Sequence, residues 1–269
     1  MNQVLPNAPK IAFTGTPLIT ADKTRNEFGS YIDIYTIEQA VADGTTVQIL
    51  YEGRQPKTKV TGDSLDELFD QYFADRTDKE KEQIKRRYGT QQAIPEAPDR
   101  IREICRDMVG HYRPVVQPNG FKAMIVTTSR NAAATYKQML DEIDAPESAV
   151  IISGTHNGTK RLSPHTDSNK QKQQIQQFKQ PMDESPLTFL IVKDMLLTGF
   201  DAPLCQIVYL DRKLMDHSLL QAITRVNRTR KGKSCGYIVD YYGPSGYLSE
   251  ALEVFTSGRC QGSIGQYRR

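Results

Sequence analysis

The stretch 186–240, PLTFLIVKDMLLTGFDAPLCQIVYLDRKLMDHSLLQAITRVNRTRKGKSCGYIVD, limits the fold more than any other part of the chain. Its runs at 187–192, 206–210 and 237–239 are short, rich in Ile, Val, Phe and Tyr, and separated by turn or helical sequence. Continuous apolar runs of this length read as strands covered on both faces, which is the situation of a parallel sheet. Parallel strands need long crossovers, so an α/β architecture with helices on the sheet follows.

The segment 217–228 between the second and third runs has helical spacing. Gln221, Arg225 and Arg228 fall at i, i+4 and i+7 on one side, with Leu219, Ile223 and Val226 nearly opposite. Guanidinium groups displayed from a helix on a parallel sheet suit a polyanion, either a triphosphate or a nucleic acid backbone. A solvated basic face is the alternative. The loop Thr198-Gly199-Phe200-Asp201 follows the first run, and ligands of open α/β sheets bind outside the carboxyl ends of strands. Gly199 allows close backbone approach, and Asp201 can accept hydrogen bonds from ribose hydroxyls or serve as a turn or helix cap.

The words DMLLTGFDAP and QAITRVNR resemble motifs V and VI of superfamily 2 helicases. With YLDRKLMDHSLLQAITRVNRT between and around them, they resemble the motor of the restriction subunit of type I restriction-modification enzymes. The resemblance implies a RecA-like parallel sheet with helices on both faces, forming the second lobe of a motor that hydrolyses ATP to pull double-stranded DNA. It also implies a separate nuclease domain and partner methyltransferase and specificity subunits. Arg225 and Arg228 would reach the γ-phosphate as arginine fingers, Gln221 would position nucleotide or water, and Gly199 and Asp201 would touch nucleotide. Thr198 would couple nucleotide state to DNA. Thr224 and Asn227 stand where the motif usually has small residues.

Upstream, KIAFTGTPL at 10–18 reads as a strand and tight turn and resembles motif III, implying a coupling role for Thr14, Gly15 and Thr16. Segment 120–140 resembles motif IV, with a strand at 123–127 and a helix opened by Ser129 or Asn131. Ser129, Arg130 and the free amides of that helix start would meet a DNA phosphate. Simple capping with Arg130 in solvent is the competing reading. A further strand at 149–153 ends at Ser153. Helices are expected at 36–42, 64–74, 78–88 and 98–112, with a strand at 47–51.

These readings divide the chain into a remnant of a first RecA-like lobe (1–54), a helical insert (55–115), a second RecA-like lobe (116–256) and an irregular tail (257–269). The tail loses all apolar periodicity, and a frameshift is expected there. No G-x-x-x-x-G-K-[ST] phosphate loop, acidic magnesium box or nuclease D…E-x-K site occurs in the 269 residues. ATP and Mg²⁺ therefore belong to the intact enzyme, and the chain alone is expected to hold neither stably and to be catalytically inactive. A DNA- or nucleotide-binding module, or an inactive remnant, is the alternative.

Hydrophobic residues at 38% and charged residues at 25% describe a soluble globular protein, and no run of about 18 apolar residues suggests a membrane span. A cytoplasmic location is expected. The four cysteines lie far apart with only four histidines, which disfavours zinc and disulfides. Net charge is only +3, yet residues 211–234 carry seven Lys or Arg against two acids. A local phosphate-binding patch fits that distribution better than wholesale coating of nucleic acid.

Overall fold

A computed structural model describes residues 11–13, 29–30, 32–54, 70, 72–88, 94–154, 160–214 and 216–242. Their centre is one six-stranded sheet built from β1 (Gln48–Gly53), β2 (Lys122–Thr127), β3 (Ser148–Ile151), β4 (Phe189–Val192), β5 (Cys205–Asp211) and β6 (Cys235–Asp240). The order across it is β1-β6-β5-β2-β4-β3, and every pairing is parallel. The expected α/β architecture is the one found.

Burial on both faces explains the unbroken apolar runs. In β2 and β4, Met124, Val126, Leu190 and Val192 face one core, while Ala123, Ile125, Phe189 and Ile191 face the other. Helices α5 (Ser168–Lys179) and α6 (Asp216–Val226) cover the first face, contributing Phe178, Leu219, Ala222, Ile223 and Val226. Helices α3 (Pro98–Val115) and α4 (Arg130–Glu142) cover the second through Ile101, Ile104, Met108, Tyr112, Tyr136, Met139 and Leu140. Each fully buried aliphatic or aromatic side chain contributes about 1.5–3 kcal/mol, so these two layers dominate the stability.

Helix starts follow the local chemistry. The short helix α1 (Ile37–Ala42) opens on a capping box, in which Thr36 Oγ1 accepts from Gln39 N and Thr36 N donates to Gln39 Oε1. Helix α2 (Asp78–Tyr88) has the bounds expected from its sequence. The expected helix at 64–74 lies largely outside the described residues, as does the strand at 10–18. No described helix is long and apolar enough to cross a membrane.

Two elements sit elsewhere than the linear division suggested. Strand β1, read as first-lobe remnant, pairs along all of its six residues with β6 and forms the edge of the same sheet. Helix α3, read as insert, packs its buried face on that sheet. Sheet membership and helix docking are long-range pairings, and neither leaves a mark on local periodicity.

A buried ion pair joins α3 to the carboxyl end of β5. Arg100 donates to both oxygens of Asp211, at 3.0 and 2.6 Å, and Tyr136 Oη on α4 adds a third bond at 2.7 Å. Arg100 is 8% and Asp211 1% exposed. A buried pair is a poor source of net stability, but removing one partner strands the other in low dielectric. Arg100→Ala is therefore expected to cost about 3–5 kcal/mol in urea denaturation, with much of it regained in Arg100→Met/Asp211→Leu.

Lys122, fully buried at the start of β2, donates to the carbonyls of Gln177 and Ser185 at 3.2 and 3.3 Å. Burial pushes its pKa down to about 8, opposed by Glu147. The folded state thus releases this proton before the unfolded state does, and stability rises with pH above about 8. Urea denaturation at pH 7 and 9.5 is expected to show that rise in the wild type and a smaller one in Lys122→Met.

Candidate functional site

Helix α6 is amphipathic as expected, but it stops at Val226. Gly236 in β6 lies so close that a Cβ there would sit 2.5 Å from the Val226 carbonyl oxygen. Beyond this contact the chain turns along β1, with Val47 N donating to Asn227 O at 2.9 Å and Arg228 bridged to Thr46. Arg228 therefore leaves the helix, correcting the expectation of a helix through 228.

Gln221 and Arg225 remain one turn apart on α6, and Arg225 Nε donates to the Gln221 carbonyl at 3.2 Å. Arg225 Nη1 donates to the Phe200 carbonyl, and its Nη2 to Thr224 Oγ1 at 3.0 Å. Burial pushes this guanidinium down from its usual range, Arg228 adds repulsion, and Asp201 opposes both. Arg228 Nε lies 3.5 Å from Asp201 Oδ1, both side chains being exposed. Between the partners of these two arginines, the loop is shaped by Gly199 at φ +66° and anchored by Phe200, which is buried against Phe178. Thr198 and Gly199 form an exposed tip, with open space around Gly199.

Gly199, Asp201, Gln221, Arg225 and Arg228 thus belong to one region, but not at the edge expected. Arg228 pairs two residues ahead of β1, and Asp201 lies four residues ahead of β5. The group gathers at the amino ends of the strands. Residues 193–204 leave the carboxyl end of β4 and must return to the amino end of β5, and Gly199 to Asp201 lie on the returning half.

A second group occupies the carboxyl edge. Ser129 caps α4, its Oγ accepting from Ala132 N at 3.0 Å. Arg130 does not stand in solvent alone, since its Nη1 donates to the Ser153 carbonyl at 3.0 Å across the end of β4. Thr127 ties the same edge together through bonds to the Ser129 and Val192 carbonyls. The two groups lie at opposite ends of the strands. Thr14, Gly15 and Thr16 fall outside the described residues. Among the described residues no three His, Cys, Asp or Glu side chains are arranged to hold a metal ion.

Lys233 was counted in the basic patch, yet it is 6% exposed and donates to the carbonyls of Cys205 and Pro203 at 2.7 and 3.2 Å. Its charge faces inward. Nothing in the run RKGKS separates Lys233 from its exposed neighbours Arg230 and Lys231.

A parallel sheet covered by helices on both faces defines an α/β lobe, and comparison with known proteins relates it to one family. Residues 1–82 match the family model described as SWI2/SNF2 ATPase, and residues 159–243 the one described as type I restriction enzyme subunit R domain 3. The chain is 34% identical over 280 residues to the type I restriction enzyme HindI endonuclease subunit of Haemophilus influenzae, covering 99% of this chain and 26% of that protein. It is 36% identical over 264 residues to a Methanocaldococcus jannaschii protein provisionally named type I restriction enzyme MjaIXP endonuclease subunit, covering 96% of this chain and 25% of that one. Its fold matches a fragment structure of a provisionally assigned HsdR subunit of a type I restriction enzyme from Vibrio vulnificus YJ016. The TM-score is 0.64, with 19% identity over 93% of this chain and 42% of that one. The sheet is the RecA-like one expected, and the chain is a homologue of the endonuclease subunits of type I restriction enzymes. It spans about a quarter of the length of the curated relatives it matches.

The Gly236 contact yields a direct check. Gly236→Ala forces the end of α6 away from β6, and a loss of about 1–3 kcal/mol is expected in urea denaturation. The side-chain Nε–H resonance of Arg225 should shift with it.

Proposed function

We propose that the chain contributes the arginine-finger half of the ATP site, and part of the DNA-binding surface, to the motor of a type I restriction endonuclease. The complete enzyme in this reading is an ATP-dependent translocase and site-specific deoxyribonuclease. Its partners are double-stranded DNA and the methyltransferase and specificity subunits, and its location is cytoplasmic.

The observation that supports this most is the gathering of Arg225, Arg228 and the exposed, left-handed Gly199 on one edge of the sheet. Two guanidinium groups are matched to the charge that spreads over phosphoryl oxygens in transfer. Gly199 leaves the backbone open to a phosphate, and the helix face of Gln221 adjoins Arg225. These residues fit the anionic end of ATP. ATP, with Mg²⁺, supplies the phosphoryl chemistry when bound. The chain's own part is to hold Arg225 half-buried as a fixed positive wall and to present Arg228 on an exposed side chain. Asp201, paired with Arg228, holds that guanidinium near the loop, in addition to the contact with nucleotide expected of it.

DNA would lie along the carboxyl edge, where Ser129, Arg130 and Ser153 meet and the amides opening α4 favour an anion. Thr198 on the crossing loop, with Thr14, Gly15 and Thr16, would pass nucleotide state to that surface. With no phosphate loop among its 269 residues, the chain alone is expected to release no phosphate from ATP with duplex present.

The deciding experiment uses the complete subunit. Arg228→Ala is expected to lower DNA-stimulated ATP turnover by about 10³-fold or more, with a far smaller change in ATP affinity. Wild-type turnover in that variant would refute the arginine-finger assignment.

A further inference from the structure

Three links tie the loop 199–205 to the segment 225–233. Arg225 holds the Phe200 carbonyl, Arg228 pairs with Asp201, and Lys233 holds the Pro203 and Cys205 carbonyls. They differ in burial. Arg228 is exposed, Arg225 is half-buried, and Lys233 is 6% exposed in a turn closed by its own N–H to Arg230 O at 2.9 Å. Exposed pairs are screened by water and salt and hold weakly, whereas charge-assisted bonds to buried carbonyls are stronger.

Lys233 also sits where the two segments meet the sheet. Pro203 and Cys205 lead into β5, whose neighbour β2 begins with Lys122 donating its N–H to Leu204 O at 2.8 Å. Lys233 leads into β6, two residues before it. A side chain here fixes the spacing between the strand ends from which Asp201 and Arg228 project.

We propose that Lys233 is a positioning residue, a buried ammonium clamp that sets the separation of the Gly199–Asp201 loop from Arg225 and Arg228 and makes no contact with DNA. Its ammonium is held despite burial, which pushes its pKa down to about 8. The geometric clamp stands by itself; its consequence for ATP turnover rests on the proposed function above.

The test uses the full chain and compares Lys233→Met with Lys231→Gln. In Lys233→Met, amide hydrogen exchange at 199–202 is expected to accelerate by about tenfold or more, the equivalent of losing one charge-assisted bond. Amides of β2 and β4 should keep their wild-type rates, and the Arg225 Nε–H resonance should move. Lys231→Gln should leave all three unchanged and weaken duplex binding, while Lys233→Met leaves duplex binding intact. Uniform acceleration across the sheet, or none at 199–202, overturns the proposal, as does loss of duplex binding in a folded Lys233→Met. Should Lys233→Met fail to fold, Lys233→Gln, which keeps one donor, is expected to give a smaller acceleration confined to the same loop; wild-type rates there would overturn it. In the complete subunit, Lys233→Gln should lower kcat by up to about 100-fold with KM little changed. A wild-type kcat beside a loosened loop would reject the link to turnover and leave the clamp standing.

Discussion

A sheet whose six strands all run the same way can be hidden on both faces only if most connections cross it from one edge to the other, and the organisation of this chain follows from that constraint. Helices α4, α5 and α6 carry three of those crossings, so each begins at the carboxyl edge and ends at the amino edge. The link from β4 to β5 makes the same crossing as loop 193–204 without a described helix, and it therefore brings loop backbone, with Gly199, to the edge where α6 ends.

Two chemically distinct edges result. The carboxyl edge carries the start of α4, with Ser129 capping it and Arg130 reaching to Ser153, and beneath it the Arg100–Asp211–Tyr136 network that fastens α3 and α4 to β5. The amino edge carries Arg225, Arg228, Asp201 and the inward-facing Lys233. In the proposed function, a motor that joins nucleotide state to grip on DNA needs two such surfaces connected by stiff elements. The buried strands, about 13–23 Å long, supply that stiffness because displacing them would break both cores.

Basic residues close together in the sequence take different parts. Arg225 turns to a loop carbonyl, Arg228 faces solvent beside a carboxylate, and Arg230 and Lys231 are exposed, while Lys233 is buried among carbonyls. A count of positive charge treats them alike. Their environments separate them, because a cation costs little in water and must be fully bonded once buried.

Much of the fold was legible in the sequence. The three apolar runs of 186–240 became β4, β5 and β6, the run at 123–127 became β2, and the helix expected at 36–42 became α1. The pairing of Gln221 with Arg225 one helical turn apart was legible too, as was Gly199, whose positive φ suits a residue without a side chain. These are local properties, set by hydrophobic period, capping chemistry and backbone sterics. Tertiary structure alone decided that β1 and α3 join this sheet, that the end of α6 packs closely on Gly236 of β6, that the arginines lie at the amino edge, and that Lys233 turns inward. Each of those outcomes depends on what a residue meets across the sheet, between positions far apart in the chain, and period and composition carry no record of such meetings.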